Sequence, residues 1–162
     1  MADIFEEIYS NYKKPIYNYF CRCTVNIHTA EELTQDTFLR AFRYYGSFRG
    51  ESSIKTWLFK IARNILNDFN KKSGAVLEEE IEKHQLRGKD VISIADQKLL
   101  IAITLGKLTE EQREIIVLRD INGFSYKEIG EITGYSEGQV KIGLYRARKR
   151  FRETYNYLSR EG

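Results

Sequence analysis

The chain has 162 residues, of which 42% are apolar and 30% charged, a globular balance with room for one ordinary domain or two small ones. Its net charge of +3 is the difference between 26 basic and 23 acidic side chains, too small to indicate or exclude a class of partner by itself. One Pro and 11 Gly argue against a loop-rich or repetitive chain, no apolar run approaches the roughly 18–20 residues of a membrane helix, the polar N-terminus is unlike a signal or transit peptide, and Cys21 and Cys23 cannot build a disulfide framework. A soluble cytoplasmic protein with no membrane insertion is expected.

In chain order the pattern is helical throughout. Ile4, Phe5, Ile8, Tyr9 and Tyr12 recur at helical spacing, Pro15 is expected to interrupt the helix, and Ile16, Tyr19, Phe20 and Cys23 resume the stripe. Thr29 with Glu32 reads as a capping box, opening a helix whose inner face is Leu33, Thr37, Phe38, Ala41 and Tyr45. The segment GSFRGESS, residues 46–53, breaks the pattern as a loop. Ile54, Trp57, Leu58, Ile61, Ala62, Ile65 and Phe69 then mark a third amphipathic helix over 54–72. These helices can bury one another as a bundle. Residues 73–90 lose the periodicity, carry a run of three glutamates, and read as a linker with room for some helix.

A second module starts with Ile94, Leu99, Ala102 and Ile103. Thr109 with Gln112 caps the next helix, which buries Ile115, Ile116 and Leu118, and Asn122-Gly123 turns the chain. Ser125 with Glu128 caps a short helix, Tyr126 to Thr133, ended by Gly134. Ser136 with Gln139 caps a long helix built on Val140, Leu144, Ala147 and Phe151. Gly130 allows a close crossing, and Ile129, Ile132 and Val140 fill the corner, which is a helix-turn-helix by packing logic. The fold expected is therefore all-α: two small helical domains, 1–72 and 91–162, joined by the 73–90 linker, the second domain holding the helix-turn-helix.

Charge is local. Residues 54–72 carry Lys55, Lys60, Arg63, Lys71 and Lys72 against Asp68, and residues 136–152 carry Lys141, Arg146, Arg148, Lys149, Arg150 and Arg152 against Glu137. One such stretch reads equally well as a solvated face; two in separate modules favour a polyanion. The outer face of the last helix, with Gln139, Lys141, Ile142, Tyr145, Arg146 and Lys149, suits a major groove. Phe48 and Arg49, on a glycine-bounded loop ahead of Trp57, suit unstacked bases, worth roughly 1–3 kcal/mol per stacked base. Equally open is a packing role for both aromatics, Phe48 as a hydrophobic plug and Trp57 as part of the core. Cys21 and Cys23 near His28 read as packing rather than a metal site, because i and i+2 on a helix diverge. No phosphate-cradling loop, nucleophile elbow or paired-carboxylate motif occurs; an enzyme, a metal and a cofactor are not expected.

Two blocks, AEELTQDTFLRAFRYYGSFRGESSIKTWLFKIARNILNDF and LTEEQREIIVLRDINGFSYKEIGEITGYSEGQVKIGLYRARKRF, together with their order, resemble the extracytoplasmic-function sigma factors of bacterial RNA polymerase over about residues 5–155. The resemblance implies core polymerase binding by residues 30–43, through Glu32, Leu33, Gln35, Asp36, Leu39 and Arg40. It implies capture of a flipped base of the minus-ten element on the non-template strand by Phe48, Arg49, Gly50, Glu51, Ser52 and Ser53. Contact with and melting of that element fall to Lys55, Thr56, Trp57, Lys60, Arg63 and Asn64. It implies minus-thirty-five duplex recognition by Ser125, Tyr126, Ser136, Glu137, Gln139, Lys141, Ile142, Tyr145, Arg146, Arg148 and Lys149. The linker would thread toward the active-site channel, and an anti-sigma partner would hold the protein inactive. The chain departs from the family at Ile142-Gly143, where Ser-Arg is frequent, and at Tyr145, where His is frequent. An ordinary helix-turn-helix regulator is the rival reading; it accounts for the second module but gives no reason for the loop 46–53 or the basic helix behind it.

Overall fold

The computed structural model describes residues 2–24, 26–83 and 94–161. Among the described residues seven α-helices follow in order: α1 (Ala2–Thr24), α2 (Ile27–Tyr44), α3 (Ile54–Lys83), α4 (Ile94–Lys107), α5 (Glu110–Ile116), α6 (Tyr126–Thr133) and α7 (Glu137–Glu161). A 3-10 turn, Tyr45–Ser47, follows α2, and α5 continues into a wider π turn over Val117–Ile121. Among the described residues every regular element is helical, as the periodicity predicts.

The N-terminal elements differ from expectation in three places. α1 runs on through Pro15. A proline inside a helix costs about 3 kcal/mol or more, but Ile8 before it and Ile16, Tyr19, Phe20 and Cys23 after it are buried in the same core. Each large apolar side chain contributes roughly 1.5–3 kcal/mol, which outweighs the local defect. α2 opens at Asn26, whose Oδ1 accepts the Thr29 N–H at 3.0 Å, rather than at Thr29; asparagine is the stronger cap. α3 starts behind Ser53, whose Oγ accepts the Thr56 N–H at 3.0 Å, and continues to Lys83. The first part of the expected linker is thus helical backbone, and residues 84–90 lie outside the described residues.

In the second module the local signals hold. Thr109–Gln112 and Ser125–Glu128 form reciprocal capping boxes. Ser136 Oγ accepts the Gln139 N–H at 3.1 Å while Gln139 Oε1 accepts the Ser136 N–H at 2.8 Å. Gly134 ends α6 in the left-handed region, φ 85°, which a residue without Cβ adopts at little cost. Gly130 meets the turn rather than the crossing helix: a Cβ there would lie 2.7 Å from the Tyr135 carbonyl oxygen.

The two modules share one continuous core. Tyr19 packs edge-on against Phe59, and Phe59 edge-on against Phe124, with ring centroids 5.3 and 4.9 Å apart. Buried Arg113 fixes the junction from the other side. Its Nε donates to the Leu105 carbonyl, its Nη2 to those of Gly106 and Leu108, and its Nη1 to the Cys23 carbonyl at the end of α1. One guanidinium thereby satisfies carbonyls at the ends of both α4 and α1.

Candidate nucleic-acid interface

α7 is held on α5 by its small and apolar side. Val140, Leu144 and Ala147 are buried. Gly143, the departure noted in the sequence, turns inward: a Cβ there would lie 2.8 Å from Ile115 Cδ1. A glycine at this position lets the helix sit close to α5, and that sets the rotation of α7. Gln139, Lys141, Ile142, Tyr145, Arg146 and Lys149 all face solvent, with Ile142 54% and Tyr145 69% exposed. Ser125, Ser136 and Glu137 are exposed beside them at the helix starts, and Tyr126 is half-buried. A groove lined by Gln112, Ile115, Gln139, Ile142 and Arg146 runs along this face. Arg148 is committed inside the module: Nε donates to Asp120 Oδ2 at 3.0 Å, and Nη2 reaches Oδ1 of the same carboxylate. It clamps α7 to the π turn.

In the first module, Phe48 and Trp57 do meet. Their ring centroids are 5.0 Å apart, Tyr45 stacks on Phe48 at 6.3 Å, and all three are half-buried. The aromatic cluster anchors the root of the loop, while Arg49, Gly50, Glu51 and Ser53 stand exposed and Ser52 is half-buried. Gly50 takes φ 74°, a left-handed conformation. The loop is therefore anchored at its root by these ring contacts and offers its polar tip. On α2, Glu32, Gln35, Asp36, Leu39 and Arg40 share one exposed face, and Leu39 is 66% exposed. Leu33 lies beneath them in the core.

α3 divides its residues differently. Lys60 and Asn64 are exposed. Lys55, Thr56 and Arg63 turn toward the second module. Lys55 Nζ donates to the Asn122 carbonyl at 3.2 Å and lies 4.8 Å above the Phe124 ring. Thr56, 2% exposed, donates from Oγ1 to Glu128 Oε2 at 3.3 Å. Arg63 Nε donates to Glu114 Oε2 at 3.1 Å.

The electrostatics of this seam are uneven. Burial pushes the Glu114 carboxyl above the usual range, and Arg63 offsets only part of that shift. Its other oxygen, Oε1, is buried with no hydrogen-bond partner among the described residues. Glu128 is held below the usual range, first by the Ser125 N–H and further by the Ser125 and Thr56 hydroxyls and Lys55. A cavity of about 180 Å³ opens beside the Arg63–Glu114 pair, lined by Asn67, Asn70 and Lys71 of α3 and by Glu110 and Tyr135 of the second module. Burial pushes the Cys23 thiol up to about 12, and raises Cys21 also, so both sulfurs are protonated packing groups at neutral pH. Among the described residues no three His, Cys, Asp or Glu side chains gather as metal ligands.

Of the second module's seam residues, sequence reasoning read Asn122 only as a turn and Glu128 only as a cap, and missed Glu114 and Phe124. For Glu114 the signal available was an acid at the head of the apolar run Ile115 to Leu118, a position where a charge is seldom left unpaired.

The sequence matches the family patterns Sigma-70 region 2 over residues 8–75 and Sigma-70, region 4 over residues 99–151. RNA polymerase sigma factor YlaC of Bacillus subtilis is 34% identical over 153 residues, covering 90% of this chain and 88% of that protein. ECF RNA polymerase sigma factor SigM of the same bacterium is 30% identical over 164 residues, covering 93% and 94%. Among solved structures, the sigma factor RpoE in complex with the anti-sigma factor NepR from Bartonella quintana matches with a TM-score of 0.76 at 27% identity, over 94% of this chain and 96% of that one. CnrH, solved in complex with the cytosolic domain of CnrY, has the same fold, with a TM-score of 0.76 at 23% identity over 97% and 90%.

Proposed function

The chain belongs to the extracytoplasmic-function sigma factors of RNA polymerase, and on that premise we propose that it is an alternative sigma factor acting in the cytoplasm. It binds core polymerase, selects promoters by their minus-ten and minus-thirty-five elements, and promotes melting without catalysing a reaction. The observation that carries this reading is the pairing, on one chain, of a capped helix-turn-helix whose outer face is free with a loop held on an aromatic cluster beside a basic helix.

Each part has a physical task. Gln139, Lys141, Ile142, Tyr145 and Arg146 read the upstream duplex, and Lys149 meets phosphate. The loop 48–53, rooted on Trp57, holds a flipped base whose extrusion costs a few kcal/mol. Lys55, Thr56, Lys60, Arg63 and Asn64 line the strand leading to it. The exposed face of α2 docks on the polymerase. Neither DNA site is strong alone; fixing both on one large enzyme raises the effective concentration of the second contact. A solved relative in complex with an anti-sigma factor supports control of this chain by such a partner.

Run-off transcription with core polymerase, this chain and a promoter library tests the reading. Initiation from a discrete set of promoters is expected. A chain that binds duplex operator DNA by itself, and neither joins core polymerase nor directs it, is an ordinary helix-turn-helix regulator.

A further inference from the structure

The outer face of α7 has an apolar centre. Val140 and Leu144 are buried, and Gly143 turns toward α5, where a Cβ would lie 2.8 Å from Ile115 Cδ1. That seating rotates Ile142 outward, to 54% exposure. Its neighbours three and four residues away on the helix surface are Gln139, Tyr145 and Arg146, all exposed, and Lys141 and Lys149 extend the same side. A lone exposed isoleucine needs no explanation on most surfaces. This one stands in the middle of a face that is otherwise polar and basic. The groups on either side of it along the helix are hydrogen-bond donors. Gln139 Oε1 already accepts the Ser136 N–H at 2.8 Å, which leaves its Nε2 to donate, and the Arg146 guanidinium has donors only. The order along α7 is therefore donor, apolar, donor. The helix rises about 4.5 Å from Gln139 to Ile142 and about 6 Å from there to Arg146, each a step of one to two base pairs at about 3.4 Å.

In a major groove the apolar group on a base edge is the C5-methyl of thymine. Acceptors are purine N7, guanine O6 and thymine O4, while cytosine offers a donor and no methyl. We propose that Ile142 is a specificity-determining residue that selects thymine in the upstream duplex by packing on its C5-methyl group. Gln139 and Arg146 donate to acceptors of the bases on either side. The same position occupied by cytosine leaves Ile142 against a polar edge with no apolar partner. This inference rests on the sigma-factor reading for the part α7 plays, and it adds the base that α7 requires.

The test starts from a duplex library randomised across the upstream element. It is selected twice, by run-off transcription with core polymerase and by binding to the free, full-length chain. One position is expected to return thymine with the unaltered chain and to lose that preference with Ile142→Ala and Ile142→Ser. Thymine at that position is then replaced by uracil, which lacks only the methyl group. The unaltered chain is expected to weaken by about four-fold, the share of one buried methyl, and Ile142→Ala by less than about 1.5-fold. A purely structural role for Ile142 would shift thymine and uracil duplexes alike, so the swap separates contact from folding. Equal sensitivity to uracil in the unaltered chain and in Ile142→Ala would overturn the proposal. So would a uracil effect abolished by Tyr145→Ala and kept in Ile142→Ala, or a selected element with no thymine that depends on residue 142. Thymine selection by the free chain with failed run-off would remove the sigma-factor reading and leave this one standing. Successful run-off without that thymine would do the reverse.

Discussion

α3 and α7 are both long, basic, amphipathic helices, and the fold treats them oppositely. α7 buries a narrow stripe of Val140, Leu144 and Ala147 against its own module, with half-buried Gly143 beside it, and leaves its polar side in solvent. α3 buries Leu58, Phe59, Ala62, Ile65 and Leu66 in the first module and then has a second flank covered by Glu114, Phe124 and Glu128. Two helices of similar composition thus differ in availability, because availability is set by a neighbour distant in sequence. A basic helix face on its own says what could bind there, not whether the site is open.

The junction that creates this difference can be broken. The largest effect is expected from Arg113→Ala, which leaves carbonyls of Cys23, Leu105, Gly106 and Leu108 without this donor. A loss of about 4 kcal/mol in urea-denaturation stability is expected, since each unsatisfied buried group costs roughly 1–3 kcal/mol. A loss below about 1 kcal/mol would show that the junction is held elsewhere.

The free face can be tilted instead. Gly143→Ala places a methyl against Ile115 Cδ1, and overpacking of this kind costs about 1–3 kcal/mol, against a helix-propensity gain of about 1 kcal/mol. A small net destabilisation follows, with weaker duplex binding. In an Ile115→Val background, which removes Cδ1, the same change is expected to become stabilising. No sign reversal in thermal denaturation would mean that Gly143 does not set the seat of α7. Ser136→Ala removes one cap from the start of α7 and is expected to cost about 1 kcal/mol, leaving the proposed strand binding by α3 untouched.

The last effect is a slope rather than a step. Glu114 faces Arg63 of α3, Tyr19 of α1, and Glu110 and Glu111 of its own helix. Its carboxyl is raised in the folded chain, so the folded state holds that proton more tightly. The stability this contributes is fully present below the ordinary carboxylate value of 4.5 and is lost as pH rises through the raised value. Glu128 is lowered; its contribution is lost in the other direction, as pH falls from the ordinary value through its own. Glu114→Gln is therefore expected to flatten stability against pH above 4.5 and leave the acid limb intact. An unaltered profile above that point would remove Glu114 as the titrating group.

How much of this was legible in the sequence follows from the range of each interaction. The caps at Thr109, Ser125 and Ser136 and the glycine stop at Gly134 were readable because each is a hydrogen bond or torsion closed within a few residues. The apolar stripes gave the helices and the exposed face of α7 for the same reason. Pro15 misled, since a local defect was overruled by burial on both sides. Asn26 caps α2 three residues ahead of Thr29, whose spacing to Glu32 is the more recognisable capping pattern. Gly143 stands out in the sequence only as a departure from the family pattern; its distance to Ile115 shows it to be a seat for α7. The contacts of Lys55, Thr56 and Arg63 were invisible because their partners lie 67, 72 and 51 residues further along the chain, and no periodicity encodes a pairing at that range.

The covered state of α3 has a direct physical signature in the distance between the modules. Dyes placed at Asp68→Cys on α3 and Lys127→Cys on α6, both exposed positions, in a Cys21→Ser background, report that distance by energy transfer. High transfer in the free chain that falls when core RNA polymerase is added is the expected result. Low transfer in the free chain, or transfer that core polymerase leaves unchanged, would contradict the account.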